Sequence, residues 1–220
     1  MANYTKTEVI GQITGTGIVP VFFNADLQTS KDVVKACWEG GVRAFEFTNR
    51  GEGALEVFKE LSAFAARECP GLILGAGTIL DAPTAAMFIA AGAKFIVSPA
   101  TREDVIRLCN LHGIACVPGC GSVTEICNAM ELGCEMVKIF PAGSVGGPKF
   151  VKDVLAPLPW ARIMATGSVE PTEENLKAWA AAGTACVGMG SKLFPKEDIA
   201  AKDWEKISER CRKSIEFFKK

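Results

Sequence analysis

With 220 residues, 49% of them hydrophobic and 22% charged, the chain has the material for one sizeable core and is not a disordered segment. Its formal net charge of −1, without a basic stripe, argues against a nucleic-acid surface, and no apolar run reaches the roughly 18 residues that cross a bilayer. The first six residues hold no apolar signal core, so a cytoplasmic setting without membrane attachment is the default expectation.

A helix is expected over residues 6–13. After it, short apolar runs alternate with longer amphipathic ones. Residues 18–23, 42–48, 72–76, 95–98, 114–117, 136–140, 163–166 and 186–189 read as strands. Between them apolar residues recur at three- and four-residue spacing, as in 31–38 and 54–61, and a closing helix is expected over 203–217. Gly41, Gly92, Gly113, Gly133 and Gly183 each fall where a helix ends before the next strand. His112, before Gly113, marks such an end. Pro157 and Pro159 punctuate a loop rather than a domain boundary.

Eight strand-helix units without a linker suggest one α/β domain over residues 1–220, a closed (β/α)8 TIM barrel. An open doubly wound sheet is the alternative, although no Gly-x-Gly-x-x-Gly fingerprint follows the first strand. Nine scattered cysteines without a C-x-x-C pair read as small buried hydrophobes. The single histidine cannot build a multi-histidine metal site, and no metal or cofactor is expected.

Two charges stand out. Lys138 lies in the apolar run Met136-Val137-Lys138-Ile139-Phe140, and Glu46 lies between Phe45 and Phe47. Buried lysine is costly, and the usual reason to tolerate it is a lowered pKa that frees the amine to attack a carbonyl. Strand parity puts Glu46, Thr48 and Arg50 on one face and sends Phe45 and Phe47 toward the outer helices. Arg50 falls about 13 Å along the chain from Glu46, past the strand end. Lys138 and Phe140 share a face by the same parity. The bland alternatives are an interior Glu46–Lys138 salt bridge, a solvated Arg50 and a core Phe140.

Small residues crowd other strand ends: Gly75-Ala76-Gly77-Thr78, Thr166-Gly167-Ser168 and Gly188-Met189-Gly190-Ser191. Loops after the seventh and eighth strands form the common phosphate cradle of this fold, although glycines there also simply make tight turns.

Taken in order from about Gly17 to Phe194, these motifs, together with Ile18-Val19-Pro20-Val21, Gly40-Gly41-Val42-Arg43, Ser98-Pro99 and Pro118-Gly119, resemble one family. It is the 2-keto-3-deoxy-6-phosphogluconate (KDPG) and 4-hydroxy-2-oxoglutarate (KHG) aldolases. The resemblance implies a class I aldolase of sugar-acid catabolism (the Entner-Doudoroff type) in which Lys138 forms a Schiff base with pyruvate and Glu46 transfers protons. Arg50 and Thr78 match positions holding the pyruvyl carboxylate, and Pro99 and Phe140 match the pocket lining. Gly167, Ser168, Gly190 and Ser191 match the distal phosphate region. Such proteins are typically metal-free homotrimers, so a homotrimer is expected.

Some residues depart from the pattern. Ser168 stands where the family commonly has a second glycine, Glu170 brings a carboxylate near the phosphate region, and Lys192 is positioned to offset it. Asn49 replaces the usual aliphatic residue. The expected reaction is cleavage of KDPG to pyruvate and glyceraldehyde 3-phosphate. The runners-up are the same chemistry on KHG or 2-keto-3-deoxy-6-phosphogalactonate, a phosphate-binding barrel synthase or isomerase, and a non-catalytic barrel that binds phosphorylated metabolites.

Overall fold

The computed structural model describes residues 4–219. Nine strands are all parallel: β1 Ile18–Phe22, β2 Ala44–Thr48, β3 Ile73–Gly77, β4 Phe95–Val97, β5 Ala115–Val117, β6 Gly119–Cys120, β7 Val137–Ile139, β8 Ile163–Thr166 and β9 Cys186–Met189. Their order is β5-β4-β3-β2-β1-β9-β8-β7-β6. Since β5 and β6 are consecutive pieces of one strand, this order is a ring of eight positions, a TIM-type barrel. The break falls at Pro118, which has no N–H to give to a ladder. The single fifth strand expected from sequence is therefore two.

Ten helices accompany the strands: α1 Lys6–Thr16, α2 Leu27–Glu39, α3 Ala54–Glu68, α4 Ala82–Ala90, α5 Glu103–Leu111, α6 Val123–Glu131, α7 Gly147–Leu155, α8 Glu173–Ala181, α9 Lys196–Ala201 and α10 Trp204–Lys219. Several start on side-chain caps. Thr5 and Glu8 form a capping box, and Asp26, Asp81 and Ser122 accept from the backbone N–H of Thr29, Thr84 and Glu125. The five glycines expected after helices all have left-handed φ, from 67° at Gly113 to 110° at Gly92. At the helix end marked by His112, the backbone N–H of that residue donates to Leu108 O at 3.1 Å. Helix α1 continues three residues beyond the expected 13, and α10 packs between α2 and α8 as the closing helix.

Two apolar layers follow from strand parity. Phe45, Phe47, Phe58, Phe88 and Trp179 fill the layer between strands and helices. Inside the barrel, Val19, Ala44, Ile73, Phe95, Met136, Met164 and Cys186 pack together with Val9, Ile10 and Ile13 of α1. That helix plugs the end where the strands begin. Gly75 makes the interior possible, because a Cβ there would lie 2.4 Å from the Phe95 ring. One inward step past Ala44 is Glu46, and one past Met136 is Lys138. The apolar plug is thus the floor beneath both charges, and the opposite mouth is the open end. Eight of the nine cysteines are buried, and Cys127 is half-buried.

Candidate active site

Glu46 is 1% exposed and Lys138 is 4% exposed, so both charged side chains lie inside the barrel. Among the described residues they form no direct ion pair, which removes the structural salt bridge as their reason for being there. They are electrostatic neighbours nonetheless. Burial holds the Lys138 amine below its ordinary pKa; Glu46 opposes that shift and Arg50 adds to it. Burial pushes the Glu46 carboxyl up, against the pull of Lys138 and Arg50. The result is an amine shifted toward its free-base form beside a carboxyl shifted toward its acid form. That is a suitable pair for imine chemistry and proton transfer.

The backbone around Glu46 is built for it. A Cβ on Gly77 of β3, two residues past Gly75, the register partner of Glu46, would fall 1.8 Å from Glu46 Oε1, so only glycine leaves room for the carboxylate where it stands. Glu46 Oε2 is buried without a hydrogen-bond partner among the described residues. A buried carboxylate oxygen that turns to nothing in its own chain is what a water or substrate proton would occupy.

Arg50 lies beyond β2 and is exposed at the rim, as the strand spacing implies. Its Nε donates to Thr78 Oγ1 at 3.4 Å. Thr78 has φ of 60°, a left-handed value that a β-branched residue adopts only under strain, and it stands one residue past the end of β3. Phe140 is half-buried, with Lys138 Nζ 4.8 Å from its ring centroid. The amine lies over the ring face, so Phe140 is a wall of the lysine pocket rather than core. Pro99 reaches the same neighbourhood by another route. Gly119 pairs with Lys138 across β6 and β7, and a Cβ on Gly119 would lie 2.3 Å from the Pro99 backbone.

The distal residues form a second group. Thr166 pairs with Gly188, so Gly167-Ser168 and Gly190-Ser191 leave neighbouring strands side by side. The Ala142 and Gly143 amides donate to the Thr166 and Gly167 carbonyls at 2.8 and 3.2 Å, which ties the loop after β7 to the loop after β8. Ser168 adopts φ of 60°, the conformation the missing glycine would take without cost, and its side chain folds over Gly143. Lys192 Nζ lies 3.3 Å from Glu170 Oε1, so the two added charges answer each other across the β8 and β9 loops. Both are substantially exposed, and such a pair contributes little energy.

One residue of this region escaped the sequence reading. Thr166 shares the inward face of β8 with Met164, which pairs with Lys138. It is 8% exposed, and its Oγ1 has no hydrogen-bond partner among the described residues. Counting two residues from an inward methionine would have found it, had the parity of β8 been used as that of β2 was.

Comparisons with known proteins agree with this geometry. The model of the KDPG and KHG aldolase family matches residues 9–210. A 2-dehydro-3-deoxy-phosphogluconate aldolase of Pseudoalteromonas atlantica is 35% identical over 198 residues, covering 90% of this chain and 89% of the relative. The KHG/KDPG aldolase of Escherichia coli is 32% identical over 217 residues and 98% of each chain. Among solved structures, KDPG aldolase from Legionella pneumophila, with pyruvate captured at low pH as a covalent carbinolamine intermediate, superposes with a TM-score of 0.84. It is 26% identical and covers 94% of this chain and 98% of its own. With a buried amine and carboxyl at the barrel mouth and a family match across nearly its whole length, the chain belongs to the KDPG and KHG aldolase family.

Proposed function

We propose that this aldolase acts as one barrel domain and cleaves KDPG to pyruvate and glyceraldehyde 3-phosphate through a Schiff base on Lys138. The observation that carries this reading is the buried amine of Lys138, with its proton affinity lowered, set beside the partnerless carboxylate oxygen of Glu46.

In this mechanism neutral Lys138 attacks the keto carbon of the substrate, and a proton delivered by the Glu46 carboxyl lets the carbinolamine hydroxyl leave as water, giving a protonated imine and leaving Glu46 ionised. The imine is an electron sink. As the C3–C4 bond breaks, its electrons move toward nitrogen, and the C4 hydroxyl gives up its proton as the aldehyde leaves. Glu46, directly or through a water, takes that proton and later returns one to C3. Arg50 and Thr78 hold the pyruvyl carboxylate at the rim, and the guanidinium disfavours a second positive charge on Lys138. Pro99 and Phe140 line the apolar side of the pyruvyl pocket. Gly167, Ser168, Gly190 and Ser191 receive the phosphate end. The same chemistry on KHG or 2-keto-3-deoxy-6-phosphogalactonate is favoured to the extent that Ser168 and the Glu170–Lys192 pair weaken a dianion subsite. Comparing kcat/KM for the three compounds separates these readings.

The family resemblance supports two further inferences, a homotrimer and a cytoplasmic role in sugar-acid catabolism. Light scattering of the purified protein tests the first. Among the described residues no helix is long and apolar enough to cross a membrane.

The decisive experiment treats the protein with pyruvate and borohydride. A reduced adduct on the Lys138 peptide is expected, and Lys138→Ala loses both adduct and turnover. Full turnover by that variant, or an unchanged protein mass, removes the aldolase reading and leaves a binding barrel.

A further inference from the structure

A cavity of about 550 Å3 opens beside the catalytic mouth, over the end of β1. It begins where the proposed site ends, since Arg50 and Ser191 line both. Phe22 and Phe194, packed edge to face with centroids 5.0 Å apart, make a rigid apolar wall, and Ile199 of α9 adds to it. Lys196, the first residue of α9, is exposed on the rim and has no ion-pair partner among the described residues. The volume lies in the range of small-molecule sites, and few polar groups converging on an apolar wall is their usual composition.

The wall is held from outside the site. Arg210 of α10 donates through Nη2 to Asp198 Oδ2 of α9 at 2.5 Å and through Nη1 to Leu193 O at 2.9 Å. The cavity is therefore braced rather than a gap in loosely packed loops. A three-carbon phosphate has no use for two phenyl rings, whereas a longer acceptor passing Ser191 would enter this space.

We propose that this cavity is a second acceptor subsite, which takes the apolar body and anionic far end of an aldehyde larger than glyceraldehyde 3-phosphate. The inference rests on the aldolase reading above and names a further substrate class for it. In the condensing direction, C3 of the pyruvate enamine on Lys138 attacks the aldehyde carbon, and the C=N bond reforms as the carbonyl oxygen takes a proton. Water then releases a 4-hydroxy-2-oxo acid. The water used here balances the one lost in forming the imine, so no other reactant is needed. The apolar body rests on Phe22, Phe194 and Ile199, and the anion meets Lys196.

The test measures pyruvate addition to 4-formylbenzoate and to benzaldehyde, alongside KDPG cleavage and borohydride trapping of pyruvate. Both aldehydes are expected to react, with kcat/KM about tenfold higher for 4-formylbenzoate. Lys196→Glu should erase that preference. Ala200→Trp, which fills the cavity from an exposed lining position, should lower addition to both aldehydes by about tenfold or more while KDPG cleavage stays within about twofold. Trapping without any aromatic product overturns the subsite alone, as does an Ala200→Trp variant that loses KDPG and aromatic activity equally. Failure of trapping itself removes the aldolase reading, and the subsite falls with it.

Discussion

The carboxylate of Glu46 occupies the space that any side chain at position 77 would fill, with a Cβ there only 1.8 Å from Oε1. A glycine on β3 thereby decides where a proton-transfer group on β2 stands. The backbone at 77 cannot yield easily, since β3 is paired with β2 along its whole length. Gly77→Ala is expected to displace the carboxylate, to lower kcat by about a hundredfold or more, and to cost about 1–3 kcal/mol of stability. Thermal melts beside steady-state kinetics check this. A variant with unchanged kcat would mean that Glu46 is not held by this contact.

The proton affinity of Lys138 is set mainly by burial, and Glu46 and Arg50 act in opposite directions. Imine formation needs the free base, so trapping of pyruvate should rise with pH through the lowered pKa of Lys138. Arg50→Gln removes a positive neighbour and should move that rise to higher pH. Glu46→Gln removes a negative one and should move it to lower pH. Trapping rates measured over a pH series in the three proteins decide the matter. Shifts of the same sign in both variants would contradict the arrangement.

Stability should carry a signature of Glu46 as well. Its folded pKa is raised above the ordinary 4.5, chiefly by burial. As pH rises past 4.5 the unfolded chain loses this proton first. The stability contributed by the neutral buried carboxyl is therefore present below that value and lost as pH climbs through the folded pKa. Glu46→Gln stays neutral throughout. Its melting temperature should gain on the native protein as pH increases above 4.5, then level off, even as its kcat falls by about 10²- to 10⁴-fold. A gain that shrinks with rising pH would reverse the sign of the burial effect.

Arg210 is remote from the reacting atoms yet fixes α9 and the loop after β9. Removing it leaves Asp198, 7% exposed, without that partner, at a cost of about 1–3 kcal/mol. Arg210→Ala should raise KM for phosphorylated substrate several-fold with little change in the rate of pyruvate trapping, because Lys138 stands on β7, two ring positions from β9, and makes no contact with the Arg210 brace. Arg210→Lys, which keeps the charge, should recover part of the loss. Equal damage to trapping and cleavage would indicate general unfolding instead.

Alternation of short apolar runs and amphipathic segments was enough to count the strand-helix units, because β-strand and α-helix periods leave different marks on a chain. The isolated charges at 46 and 138 were visible too, since a lysine or glutamate inside an apolar strand has few reasons to be there. Parity correctly turned Phe45 and Phe47 outward and Glu46 inward. The unit count pointed to a closed barrel, as found, but alternation alone left an open sheet as the alternative, and the pairing of β1 with β9, residues far apart in the chain, is what decides between them. The break at Pro118 needed both of its neighbours, β4 and β7, to be located first.

Within the site, local pattern named the residues and tertiary packing set their chemistry. Nothing in the string Gly75-Ala76-Gly77 says which side chain fills the space its glycines leave. Nor does sequence reveal that Glu46 and Lys138 avoid a direct ion pair, or that Thr166 Oγ1 faces the interior without a partner. The kinds of groups and their order along the chain are local properties, legible before any fold is known. Distances between them, the depth of burial that shifts two pKa values, and the cavity over β1 depend on strands meeting across the barrel, and only the folded ring decides those.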